Sequence, residues 1–82
     1  MRVPRDLTGR ELAVLLRREF GYEITRQRGR HIRLTTDQGG THHLTVPDHD
    51  PLRVGTMSAI VAEVARHFAI ERTAAIERLF AG

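Results

Sequence analysis

The 82 residues contain no cysteine and no lysine. Without thiols there is no disulfide framework and no thiolate metal site, and a reducing compartment is compatible with the chain. No stretch approaches the ~18 consecutive apolar residues that a membrane-spanning helix needs. The opening Met1-Arg2-Val3-Pro4-Arg5-Asp6 lacks the apolar run of a secretory signal. A soluble, cytoplasmic protein with no membrane association is the expectation. The absence of lysine makes every basic residue an arginine, 13 against 10 acidic residues, with a formal charge of +3. Arginine-only usage can reflect nucleotide composition alone. Clustering argues for more than that, because Arg26, Arg28, Arg30 and Arg33 fall within one short stretch. Guanidinium groups donate bidentate hydrogen bonds to phosphate.

A chain of this length predicts one domain, 1–82, with 1–7 as a flexible lead-in. Thr8-Gly9-Arg10-Glu11 reads as a capping box, and Leu7 and Leu12 as a hydrophobic staple around it. Leu12, Leu15, Leu16 and Phe20 recur at helical spacing, so a helix is predicted from about Gly9 to Phe20, stopped by Gly21. Arg10, Arg17 and Arg18 lie off that stripe and read as a solvated face. A first strand is predicted over Tyr22–Gln27, with Tyr22 and Ile24 on the core face and Glu23, Thr25 and Gln27 on the other. Arg26 and Arg28 would continue the apolar face, so the strand is expected to end or bulge near Arg26.

Gly29 supplies the turn, and a second strand follows over about His31–Thr36, with Ile32 and Leu34 inward and His31, Arg33 and Thr35 outward. Asp37-Gln38-Gly39-Gly40 is a turn, and a third strand is expected over Thr41–Val46. Pro47-Asp48-His49-Asp50-Pro51 is a rigid connection. Thr56 is the expected N-cap of a second helix carrying Met57, Ile60, Val61, Val64 and Phe68, and a short helix over about Glu71–Phe80 ends the chain. The fold class is therefore α+β: a three-stranded antiparallel meander with helices on one face, in the order α-β-β-β-α plus a short C-terminal helix.

His31 sits among the four clustered arginines. RNA carries its own nucleophile, the 2′-hydroxyl. Cleavage then needs a group that moves protons near neutral pH, which histidine does. It also needs positive charge on the phosphate as negative charge builds, which arginine supplies. A single histidine on an exposed strand face is ordinarily surface, and the arginine ring is the first argument against that reading. His43 shares the outer face on the neighbouring strand and is either a second RNA contact, an acid–base partner or plain surface. His42 faces inward as a hydrogen-bonded boundary residue. His49 either ties its loop to the second helix or contacts ligand, and His67 sits favourably at a helix C-terminus. Adjacent strand residues point to opposite faces, so His42 and His43 do not converge and no metal site is expected.

In this order and spacing the motifs resemble the HicA toxin family, also called YcfA-like proteins. The resemblance runs from Thr8 to Phe80. It rests on Phe20-Gly21-Tyr22, on Arg26-Gln27-Arg28-Gly29-Arg30-His31, on Thr45-Val46-Pro47-Asp48-His49, and on Val54-Gly55-Thr56-Met57-Ser58-Ala59-Ile60. Arg30 stands where the family usually has serine. The resemblance implies a fold like that of double-stranded-RNA-binding domains and an mRNA interferase that needs no metal or other cofactor. It implies His31 as the catalytic histidine and a HicB-type antitoxin that covers the site, the toxin being a monomer when free. The expected RNA contacts are Arg26, Arg28, Gly29, Arg30, Arg33, His43 and His49. A non-catalytic RNA-binding module is the alternative.

Overall fold

The computed structural model describes residues 3–81. The elements are α1 (Gly9–Phe20), β1 (Glu23–Arg28), β2 (His31–Thr36), β3 (His42–Pro47), α2 (Val54–Phe68) and α3 (Arg72–Phe80). The strands form one antiparallel sheet in the order β1-β2-β3. This is the expected α+β architecture, with the helices gathered on one face. Among the described residues no helix is long and apolar enough to cross a membrane.

α1 starts at the capping box. The Glu11 N–H donates to Thr8 Oγ1 at 3.0 Å, and the Thr8 N–H donates to Glu11 Oε1 at 2.9 Å. The helix stops at Gly21, whose φ of +72° is open to glycine at little steric cost. Thr36, at the far end of β2, is buried and donates to the Phe20 carbonyl at 3.0 Å. That bond satisfies a helix-end acceptor and fixes α1 across the sheet. Leu12, Leu16 and Phe20 of α1 pack with Ile32, Leu34, Leu44 and Val46 of the sheet and with Met57, Val61, Val64 and Leu79 of the later helices. Arg78 of α3 lies over the Phe20 ring at 4.1 Å and also bonds the Glu19 carbonyl.

Three features depart from expectation, besides one-residue shifts at the ends of β1, β3 and α3. The lead-in proposed over residues 1–7 begins at residues 1–2, outside the described residues. Its end is anchored, since Leu7 is buried and its carbonyl accepts from the Leu52 N–H at 2.8 Å. α2 begins at Val54 with Arg53 as N-cap, not at Thr56, and it has no side-chain cap. Leu52 is already pinned in the core by that same bond, so the chain enters the helix at once and the Met57 N–H reaches the Arg53 carbonyl. Ile24 shares the Leu34 face, yet it is 43% exposed, because β1 is an edge strand that α1 covers only in part.

A polar cluster joins β3 and its preceding turn to the last turns of α2. Burial, and then the nearby Glu63, push the Tyr22 phenol well above its ordinary pKa, so it keeps its proton. It stands 2.8 Å from His42 Nδ1, and His42 Nε2 stands 3.3 Å from a Glu63 carboxylate oxygen. A carboxylate only accepts, so Nε2 carries the ring proton and Nδ1 accepts from Tyr22. The His67 ring stacks on His42 at 4.4 Å and donates through Nε2 to the Gln38 carbonyl at 2.9 Å. His67 is therefore held by a named partner across the fold, beyond the helix-end position read from sequence.

Burial, and next His67, hold the His42 pKa below the ordinary histidine value of 6.5, against the pull of Glu63. A histidine with a depressed folded-state pKa is protonated more readily in the unfolded chain. Its neutral form is compatible with full stability above about pH 6.5, and stability is lost as pH falls below that value. Urea unfolding from pH 7.5 to 5 is expected to show a falling midpoint. His42→Asn, which keeps an acceptor for Tyr22, is expected to flatten that fall. An unaltered slope in the variant would remove His42 as its source.

Candidate nucleic-acid interface

The sheet has one covered face and one open face, so the phase of side-chain alternation decides what the open face displays. On β2 the phase is plain: Ile32, Leu34 and Thr36 are buried while His31 and Arg33 are exposed. On β1 the phase changes partway. Ile24 pairs with Leu34, but Arg26 pairs with Arg33, Gln27 with Ile32 and Arg28 with His31. Thr25 is the extra residue of a β-bulge between Ile24 and Arg26. Directly paired residues project to the same face. The bulge therefore moves Arg26 and Arg28 off the helix side and onto the open face, beside Arg33 and His31. It also moves Gln27 to the helix side, opposite to the face expected for it.

Three rows of outward residues cross the sheet. Arg28, His31 and Pro47 form the first, Arg26, Arg33 and Thr45 the second, and Glu23, Thr35 and His43 the third. Arg26, Arg28, Arg30, His31 and Arg33 are all exposed. The first row ends in a two-residue turn, Gly29-Arg30. Gly29 has φ of +57°, while Arg30 is not among the positive-φ residues. That combination suits a hairpin turn with glycine first and leaves the second position free for a long side chain. No atom lies within 4 Å of where a Gly29 Cβ would stand, so the turn is open to a ligand.

The turn is held from below by Arg10, Gln27 and Asp48. Arg10 of α1 donates to Gln27 Oε1 at 2.7 Å and pairs with Asp48 at 3.2 Å, and the Gln27 amide donates to the same Asp48 oxygen at 3.2 Å. The Asp48 N–H donates to the Arg30 carbonyl at 2.7 Å. Arg10 is thus part of a clasp and not a free solvated face. Gln27 and Asp48 are its other members, and the switch to the helix side at the bulge is the signal that could have revealed Gln27. Arg17 pairs with Glu23 and Arg18 with Glu19 at the surface.

His43 lies on the open face as expected, but two rows from His31. Four residues of strand separate the two rows, about 13 Å at ~3.3 Å per residue. That distance is too large for both imidazoles to serve one phosphate, so the acid–base-partner reading of His43 is set aside. His42 is on the opposite face, and among the described residues no three His, Cys, Asp or Glu side chains converge as a metal site would require. His49 leaves the sheet. Its carbonyl accepts from the Gly9 N–H at 2.9 Å, and its exposed side chain is outside the rows. The loop tie expected of His49 is made by its backbone, and to α1 instead of α2.

A small α+β domain with one bare, arginine-rich sheet face around a histidine offers the donors and positive charge that a phosphate backbone would engage. The family model described as the HicA toxin of bacterial toxin–antitoxin systems matches residues 9–66, from the start of α1 almost to the end of α2. The chain belongs to the HicA toxin family, and membership implies a HicB antitoxin as its partner. No curated protein and no solved structure matches it.

The loop that carries Asp48 presses against the start of α1. A Cβ at Gly9 would stand 1.8 Å from the Pro47 carbonyl oxygen and 2.9 Å from its carbon. Alanine favours a helix over glycine by about 1 kcal/mol. Overpacking against backbone costs about 1–3 kcal/mol or more and outweighs that gain. Gly9→Ala is expected to lower unfolding free energy by about 1–2 kcal/mol in urea titration. A variant as stable as the parent would show that the loop yields freely.

Proposed function

We propose that the protein is an endoribonuclease toxin, an mRNA interferase, acting at the His31 end of the open sheet face. Family membership supports a toxin that is generally an RNase. The observation that carries the reading is the bulge at Thr25, which sets Arg26 and Arg28 beside Arg33 and His31 on one exposed surface. The backbone of RNA approaches this surface at the open Gly29-Arg30 turn. Arg26, Arg28, Arg30 and Arg33 neutralise the phosphate and strengthen their hold as charge accumulates on its oxygens. The His31 imidazole takes the proton of the 2′-hydroxyl. The 2′-oxygen then bonds to phosphorus as the bond to the 5′-oxygen breaks. The departing oxygen collects a proton from imidazolium or water. His49 meets the strand only where it passes the turn toward α1.

The reaction draws its nucleophile from the substrate and its charge from arginine, and no step calls for a metal. The HicB antitoxin neutralises the toxin by covering this face, and the free toxin is a cytoplasmic monomer in this reading. Low-salt RNA binding that weakens steeply with added salt is the electrostatic signature of such a face.

The test is cleavage of a long single-stranded RNA with chelator present. Wild type is expected to produce new ends, and a folded His31→Ala variant to be slower by about a hundredfold or more. Equal cleavage by both would move the catalyst elsewhere. Salt-sensitive binding without cleavage by either would make the domain a non-catalytic RNA-binding module.

A further inference from the structure

The third row of the open face has its own construction. The Thr35 hydroxyl lies 2.8 Å from His43 Nδ1 and 3.2 Å from the Thr25 hydroxyl, which also reaches the Arg33 carbonyl at 3.4 Å. Thr25 is the bulge residue itself, so the irregularity that phases the arginines also brings its hydroxyl to Thr35. His43 is exposed, and with Nδ1 committed to Thr35 its free ring nitrogen is Nε2. Glu23 completes this row, but its carboxylate is bonded by the Arg17 guanidinium at 3.0 Å, which offsets its charge at the sheet edge. The first two rows are rich in permanent cations. The third offers hydroxyls and an imidazole, groups that both donate and accept. Arg33 and Thr45 lie between the two ends.

We infer that Thr25, Thr35 and His43 form a second subsite for the ribose–phosphate backbone of the same RNA strand, about 13 Å from His31 along the sheet. The inference rests on the reading of this face as an RNA site and adds a length requirement to it. A single strand on a sheet is at least as extended as one strand of a duplex, ~3.4 Å per nucleotide, so at most roughly four nucleotides span the distance. A strand that crosses the face meets arginine charge at the cleavage end and the hydroxyls of Thr25 and Thr35 with the His43 ring at the other. Such contacts go to sugar and phosphate, so they fix register and length without reading bases.

The probes are RNA analogues with 2′-fluoro sugars, which lack the nucleophile and cannot be cut. One is a dinucleotide, too short to reach both ends of the face, and one has twelve nucleotides. Wild type is expected to bind the longer probe at least tenfold more tightly than the shorter in fluorescence anisotropy. His43→Ala and, separately, Thr35→Val are expected to cut that ratio about five- to tenfold, with folding of each variant checked by circular dichroism. Two variants guard against a single misfolded one. Loss of affinity by the same factor for both probes would place His43 in the His31 site and overturn a separate subsite. A wild type that binds both probes equally would also overturn it while leaving the RNA reading intact. A wild type that binds neither probe, yet forms a salt-sensitive complex with an acidic antitoxin that His43→Ala weakens, would overturn both and assign the row to protein recognition.

Discussion

The arginine-rich face depends on one surplus residue in an edge strand. A regular β1 would run its alternation straight from Ile24 into two arginines on the helix side. Those guanidiniums would then stand on the helix side, away from Arg33 and His31 and beside the Arg10 guanidinium that Gln27 now accepts from. The bulge at Thr25 resolves the conflict by changing phase, and everything downstream on β1 follows. Gln27 takes the inward position, where Arg10 and Asp48 satisfy its amide. Arg26 and Arg28 take the outward positions, where solvent does the same. The irregularity is located where the sheet has no further neighbour to disturb, which is where bulges are best tolerated.

The histidines show how little residue type says without placement. His31 and His43 share a face and a residue type but stand in different surroundings, one among arginines and one among threonines. His42, adjacent in sequence to His43, is turned inward and joined to Tyr22 and Glu63. His67 closes onto His42 and the Gln38 carbonyl, joining two segments far apart in the chain. His49 is tied through its backbone alone. Charge, hydroxyl, carboxylate and main-chain settings give one side chain several distinct roles within a single small fold.

What was legible in the sequence was local. The capping box, the Gly21 stop and the alternation of β2 are each defined within a few residues, and the structure has them where expected. A bulge near Arg26 was legible too, from the discomfort of arginines on an apolar face. Its consequence for Gln27 was not, because the phase beyond a bulge depends on pairing with β2. The start of α2 is not legible for a similar reason. Thr56 is a good cap by type, but the Leu7–Leu52 bond brings the chain into helix earlier. The clasp of Arg10, Gln27 and Asp48 and the stack of His42 on His67 join residues remote in sequence, and no short-range pattern announces them. The arginine cluster and His31 stood out because the strand–turn–strand that carries them is itself a local object.

The last helix marks a difference between two kinds of boundary. The family match ends at Arg66, within α2. The core does not end there: Ala75, Ile76 and Leu79 of α3 are buried with α1 and α2, Arg78 caps the Phe20 ring, and Arg72 reaches Ser58. The segment by which the chain is recognised is thus shorter than the segment that excludes water from its interior. A fragment cut at the recognised boundary would keep every arginine of the open face and His31, yet it would lay bare the apolar side of the two helices that support them.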